Sequence, residues 1–141
     1  MLERAVKLAE KAHQGQLDKG GKPYILHAGR VMEKCETEKE KITAILHDVM
    51  EDTPYTLDDL RKEGFSEEIL VALLCLTRRE GEDYMRYIER VCKNPLAVRV
   101  KYADLEDNMD LRRIPEPTEG DFARLEKYKR AKMRIEEALR R

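Results

Sequence analysis

The sequence predicts an all-α fold. Three observations carry this expectation. Apolar residues recur at intervals of three and four along most of the chain. Residues that cap helix starts stand at the heads of those segments. No stretch alternates apolar and polar residues with the period of two that marks a half-buried strand. With 141 residues, the length suits one domain, taken as residues 1–141. The expected architecture is a single bundle of seven or eight helices.

The elements follow in order. Leu2, Ala5, Leu8, Ala9 and Ala12 lie on one face of a first helix that ends near Gln14-Gly15. DKGGKP, residues 18–23, is a loop by its glycines and proline. Ile25 to Cys35 forms a second helix. Thr37 and Glu40 have capping-box spacing and open a third. That helix carries Ile42, Ala44, Ile45, Leu46, Val49 and Met50, and Pro54 stops it at Thr53. Thr56 caps a short helix through Leu60. Ser66 caps another, with Ile69, Leu70, Leu73, Leu74 and Leu76 as its apolar stripe. Glu82 to Cys92 follows. Asn94-Pro95 begins a helix running through VRVKYADLEDNMDL. After the loop PEPTEG, a last charged helix reaches Arg141.

Charge excludes several classes of function. Lys plus Arg is 28 and Asp plus Glu is 29, for a net charge of −1. No basic excess points to nucleic acid and no acidic tail to a basic partner. No apolar run approaches the roughly 20 residues of a membrane span, and the charged N-terminus is not a signal peptide. A cytoplasmic protein is expected. Cys35, Cys75 and Cys92 lack disulfide or CxxC spacing and are expected as buried thiols.

One octapeptide, LHDVMEDT at 46–53, is unusual. If the helix is continuous, His47, Asp48, Glu51 and Asp52 share an arc of about 140°. They crowd acids at the negative end of the helix dipole. A solvated face accounts for this. So does a bound cation, with His47 and Asp48 as ligands and Glu51-Asp52 one turn away. Two more ligands would then come from elsewhere, and His27 and Asp104 are candidates. Taken alone, His27 reads more often as a hydrogen-bonded core histidine and Asp104 as a solvated aspartate.

AHQGQ, GGKPYILH, LHDVMEDT and VKYADLEDNMD occur in this order. Together they resemble the hydrolase half of the RelA/SpoT alarmone enzymes, and especially its small stand-alone versions, such as the metazoan SpoT homologue. These are HD-domain metal-dependent phosphohydrolases. The resemblance covers residues 4 to 130, approximately, and implies a helical HD-domain bundle. It implies that His27, His47, Asp48 and Asp104 hold a metal, Mn²⁺ by preference, with other divalent ions compatible. It implies that Glu51 and Asp52 orient the attacking water and accept its proton. Asn108 would contact the nucleotide, Lys19 its phosphates and Tyr128 its base, although a packing role for Tyr128 is an equal alternative. Lys101 either pairs with an acid or lies at the surface. His13 and Gln16 carry no assigned chemistry beyond supporting hydrogen bonds.

The implied reaction removes pyrophosphate from the 3′ position of guanosine 3′-diphosphate 5′-diphosphate (ppGpp). The length leaves no room for a synthetase domain, so synthesis is not expected. Asp18 stands where the long members commonly have a base-stacking arginine. This motivates an alternative, an HD phosphohydrolase acting on another nucleotide or phosphorylated metabolite. A further alternative is an idle nucleotide-binding module.

Overall fold

The computed structural model describes residues 1–140 and contains helices and loops with no β-strand among them. Eight helices of six residues or more and one four-residue turn occur in the order α1 (Leu2–Ala12), α2 (Ile25–Glu33), α3 (Glu38–Leu46), α4 (Val49–Asp52), α5 (Leu57–Lys62), α6 (Glu67–Leu76), α7 (Tyr84–Cys92), α8 (Pro95–Asn108) and α9 (Glu119–Leu139). A 3₁₀ turn, Leu111–Arg113, follows α8. Thus α8 ends three residues earlier than its sequence pattern suggests. The expected end of α9 at Arg141 lies outside the described residues.

Most starts are set by local chemistry. Asn94 Oδ1 accepts from the Leu96 and Ala97 amides at 3.0 and 2.8 Å, with Pro95 in the first turn. Thr56 with Asp59, and Thr118 with Asp121, form reciprocal capping boxes. At α3, Thr37 caps through the Glu40 amide, but the Glu40 carboxylate turns back to the Glu36 amide instead of the Thr37 one.

α3 lies inside the bundle. It packs against α1, α2, α6 and α8, and Ile42, Thr43, Ala44, Ile45 and Leu46 are all buried. A helix covered all round shows little amphipathic pattern. α8 is the second spine, packed against α2, α3, α6, α7 and α9. The α6 stripe needs one correction: Leu74 is 52% exposed, while Ile69, Leu70, Leu73 and Leu76 are buried. The cysteines are free, but only Cys35 is buried and Cys75 and Cys92 are half-buried. No helix among the described residues is long and apolar enough to cross a membrane.

The third helix is not continuous. It breaks at His47-Asp48, where Asp48 has φ −105° and ψ 1°. The cause is a carbonyl taken by the wrong donors. Ala44 O receives the His47 amide at 3.3 Å and the His47 Nδ1 at 2.5 Å, so it is not left for Asp48. The chain restarts as α4, with the Asp52 amide bonded to Asp48 O at 2.9 Å. Glu51 and Asp52 therefore stand on a separate turn, and the expected clash with a long helix's dipole does not arise.

Candidate metal centre and its two cavities

α2 carries His27, the end of α3 carries His47 and Asp48, and α8 carries Asp104. One ligand atom from each lies within 4.8 Å of the others. His27, His47 and Asp104 are at most 5% exposed. His27 Nε2 lies 2.9 Å from Asp104 Oδ1, and His47 Nε2 lies 3.1 Å from the same oxygen and 3.0 Å from Asp48 Oδ2.

The opposite ring nitrogens determine the tautomers. His47 Nδ1 faces the Ala44 carbonyl, which can only accept, so Nδ1 carries the proton. His27 Nδ1 donates to Asp107 Oδ2 at 2.6 Å. Burial disfavours the Asp107 carboxylate, but His27 and Arg30 outweigh it and hold its pKa at about 2, so it is an acceptor. Each Nε2 therefore turns towards Asp48 or Asp104 oxygens. A neutral imidazole would set lone pair against lone pair there. Protons or a cation must lie between them. Two imidazole nitrogens and two carboxylate oxygens suit a divalent first-row ion, and the hydrogen-bonded Nδ1 atoms fix the rings as metal-binding histidines require. The group fits a metal.

The charges are consistent with this. Burial opposes ionisation of Asp104, yet Lys101 and the two histidines hold its carboxyl well below the ordinary range. Burial likewise disfavours a charged His47, but Asp48 and Asp104 raise its pKa well above that of free imidazole. Lys101 donates to Asp104 Oδ2 at 2.9 Å and is nearly enclosed, which decides between its two readings in favour of pairing. Asn108 Nδ2 donates to Asp104 Oδ1 at 3.2 Å.

Glu51 and Asp52 sit beside this group, largely exposed. Glu51 Oε1 accepts from the Arg78 amide at 2.7 Å. Partial burial, with Asp48 adding repulsion, raises the pKa of both carboxyls. His13 and Gln16 brace the turn: His13 Nδ1 donates to Gln16 Oε1 at 2.9 Å, and Gln16 Nε2 donates to the Asp52 carbonyl at 2.9 Å.

Two cavities flank the cluster. One, of about 240 Å³, is lined by Lys19, Gly20, His27, Arg113, Arg124 and Tyr128, among others. The other, of about 170 Å³, includes His47, Asp48, Glu51, Arg78, Tyr84 and Lys127 in its wall. Asn108 and Tyr128 line both. Lys19 is 3.7 Å from Asp121, so it is paired within the first cavity's wall. Asp18 Oδ1 accepts from the Gly20 and Lys22 amides at 2.9 Å each, which shapes the loop. Gly20 is needed there, because a Cβ would come within 2.3 Å of the Arg113 carbonyl.

Sequence reasoning missed several residues of this region. Tyr24 donates to Asp48 Oδ2, and Asp107 holds His27. Their signals were present: Tyr24 precedes His27 by three residues and Asp107 follows Asp104 by three, one helical turn in each case. Arg78, Arg113 and Arg124 had no such signal.

Fold and site thus define a class: an all-α domain with a buried imidazole–carboxylate group able to hold a divalent ion. No family model matches the chain. Among curated proteins, it is 31% identical over 130 residues to the probable GTP pyrophosphokinase of Mycobacterium leprae, covering 83% of this chain and 16% of that protein. It is 34% identical over 116 residues to the guanosine-3′,5′-bis(diphosphate) 3′-pyrophosphohydrolase of Haemophilus influenzae, covering 72% of this chain and 17% of that one. The chain spans about a sixth of the length of these relatives. A solved structure, described as a metazoan ortholog of SpoT that hydrolyzes ppGpp and plays a role in starvation responses, superposes with a TM-score of 0.79 at 24% identity, over 99% of this chain and 85% of that one. By sequence the chain is a relative of the RelA/SpoT-type proteins, and its fold is that of the SpoT ortholog.

Proposed function

We propose that this chain is a single-domain, metal-dependent phosphohydrolase that converts ppGpp and water into GDP and pyrophosphate. The observation that carries the reading is the buried group of His27, His47, Asp48 and Asp104, with both Nδ1 atoms committed elsewhere, between two cation-lined cavities. The names of the relatives, a guanosine-3′,5′-bis(diphosphate) 3′-pyrophosphohydrolase and a ppGpp-hydrolysing SpoT ortholog, point to the substrate. A cytoplasmic location suits a nucleotide substrate.

Mn²⁺ held by those four side chains would polarise a phosphoryl oxygen and acidify water there. The chain's own residues do the rest. Asp52, whose carboxylate accepts no hydrogen bond from another described residue, accepts a proton from the attacking water. Glu51, fixed by the Arg78 amide, orients that water. Their raised pKa values make them better bases than free carboxylates. The new bond joins the water oxygen to phosphorus, the bond from phosphorus to the 3′ oxygen breaks, and the 3′ oxygen gains a proton. Lys19, Asn108 and Tyr128 line the nucleoside side.

A second reading, an HD phosphohydrolase for another nucleotide or phosphorylated metabolite, is favoured by Asp18, whose carboxylate is used by its own loop and offers no plane for stacking on guanine. The test is to incubate protein and ppGpp with Mn²⁺ or with EDTA and to separate products by anion exchange. GDP and pyrophosphate should form only with metal. No turnover with metal bound would remove the ppGpp assignment. An Asp52→Ala variant that keeps full function would instead indicate the idle binding module.

A further inference from the structure

We propose that Asp107 is a positioning residue that sets the metal affinity of the site through His27, by orienting its ring and by lending it negative charge, while Arg30 and Arg113 hold the carboxylate in place. The proposal rests on the phosphohydrolase reading for one thing only, the metal.

Four observations carry it. First, His27 and Arg30, one turn apart on α2, meet Asp104 and Asp107, one turn apart on α8. The His27 ring spans both carboxylates, with Nε2 2.9 Å from Asp104 Oδ1 and Nδ1 2.6 Å from Asp107 Oδ2. Second, Asp107 divides its oxygens. Oδ1 accepts from Arg30 Nε at 2.8 Å, and Oδ2 accepts from the ring, with Arg113 Nη2 at 3.3 Å. A carboxylate that only tied α2 to α8 would need Arg30 alone. Third, Asp107 is 4% exposed. A carboxylate at that depth is costly unless it is paired and hydrogen-bonded, and the two arginines pair it from outside the cluster. Arg113 Nη2 also donates to the Asp107 carbonyl at 3.0 Å, which pins the 3₁₀ turn against the end of α8. Fourth, the two histidines are backed differently. His47 Nδ1 meets a neutral carbonyl, that of Ala44, whereas His27 Nδ1 meets a carboxylate. An imidazole whose N–H points at a carboxylate is more basic at its other nitrogen.

Asp107 thus makes two separable contributions. As an acceptor, it keeps the proton on Nδ1 and turns Nε2 to the ligand cluster; without it, the ring can present either nitrogen to Asp104. As a charge, it strengthens Nε2 as a ligand. Asn at 107 keeps an acceptor and loses the charge. Leu loses both. Either substitution alone strands Arg30, so each is paired with Arg30→Met. Replacing both members of a buried ion pair is far milder than replacing one.

The experiment is titration of Mn²⁺ into the full chain, with free Mn²⁺ read by electron paramagnetic resonance and folding checked by thermal melts. Arg30→Met should bind Mn²⁺ at least as tightly as the wild type, because it removes a nearby cation and leaves Asp107. Relative to Arg30→Met, adding Asp107→Asn should weaken binding about tenfold and adding Asp107→Leu about a hundredfold, the span expected for the outer partner of a metal-binding imidazole. Arg112→Met, at a side chain 90% exposed, should stay within about twofold of the wild type. Equal affinity in Arg30→Met and both double variants, with similar melts, would overturn the proposal. So would equal weakening by Asn and Leu, because that is the result of a charge acting through space without orienting the ring. A wild type that takes up no Mn²⁺ would overturn the metal reading and the proposal together. Losses in the predicted order without any ppGpp turnover would remove the reaction and leave the role of Asp107 standing.

Discussion

The candidate ligand cluster and the smaller cavity beside it are built on opposite terms. In the cluster every donor is answered. Asp104 Oδ1 meets His27, His47 and Asn108, Oδ2 takes Lys101, and the Nδ1 atoms are taken by Asp107 and Ala44. The smaller cavity keeps Lys127 without a carboxylate partner among the described residues, its ammonium 4.5 Å from the centre of the Tyr84 ring. Dense mutual bonding makes a site rigid and couples it to folding. Unanswered groups leave interaction energy for a ligand. Ligand residues should therefore be costly to remove for stability, and cavity residues for function only.

The largest break of this contrast is Asp104→Ala. It leaves Lys101 enclosed without its carboxylate, so unfolding by urea should show a loss of roughly 3–5 kcal/mol, the cost of stranding one partner of a buried pair. A loss below about 1 kcal/mol would mean that the cluster is not structural. Next is Asp52→Asn. Its carboxylate bonds no other described residue, so stability should stay within about 0.5 kcal/mol. Turnover should fall by roughly 10²–10⁴ through loss of the general base. An Asn variant of near-normal activity would remove Asp52 from that role.

The smallest effect lies behind Arg78, whose guanidinium donates to the Glu82 carbonyl. Glu82 is held at about 2 by hydrogen bonds from Arg90 and the Arg79 amide. Because this folded-state pKa is depressed, the stability it contributes is present above the ordinary glutamate pKa of about 4.3. It is lost as pH falls towards about 2. Glu82→Gln should flatten the stability profile between those values, measured by thermal melts across acid pH. A profile identical to the wild type would show that these hydrogen bonds add nothing.

Legibility in the sequence follows the same division. The caps at Thr56, Ser66 and Asn94 use local chemistry and could be read directly. The four ligand candidates stood in short ordered motifs, and the folded chain brings them together. The break at His47-Asp48 was hidden, because it comes from a ring nitrogen turning onto the Ala44 carbonyl and not from any helix-breaking residue. The covering of α3 on all sides concealed its orientation. The cations of the cavities were least legible. Arg113, on a 3₁₀ turn, and Arg124, on the last helix, meet at the larger cavity, and Arg78, on a loop, lines the smaller one, so that only the packing of distant elements brings them to the site.

The most direct test of the central claim is an electron paramagnetic resonance titration of Mn²⁺ into the wild type and His47→Ala. The wild type should remove free Mn²⁺ from solution up to one equivalent, and His47→Ala should not. Retention of that equivalent in His47→Ala, or no tight binding in the wild type, would contradict it.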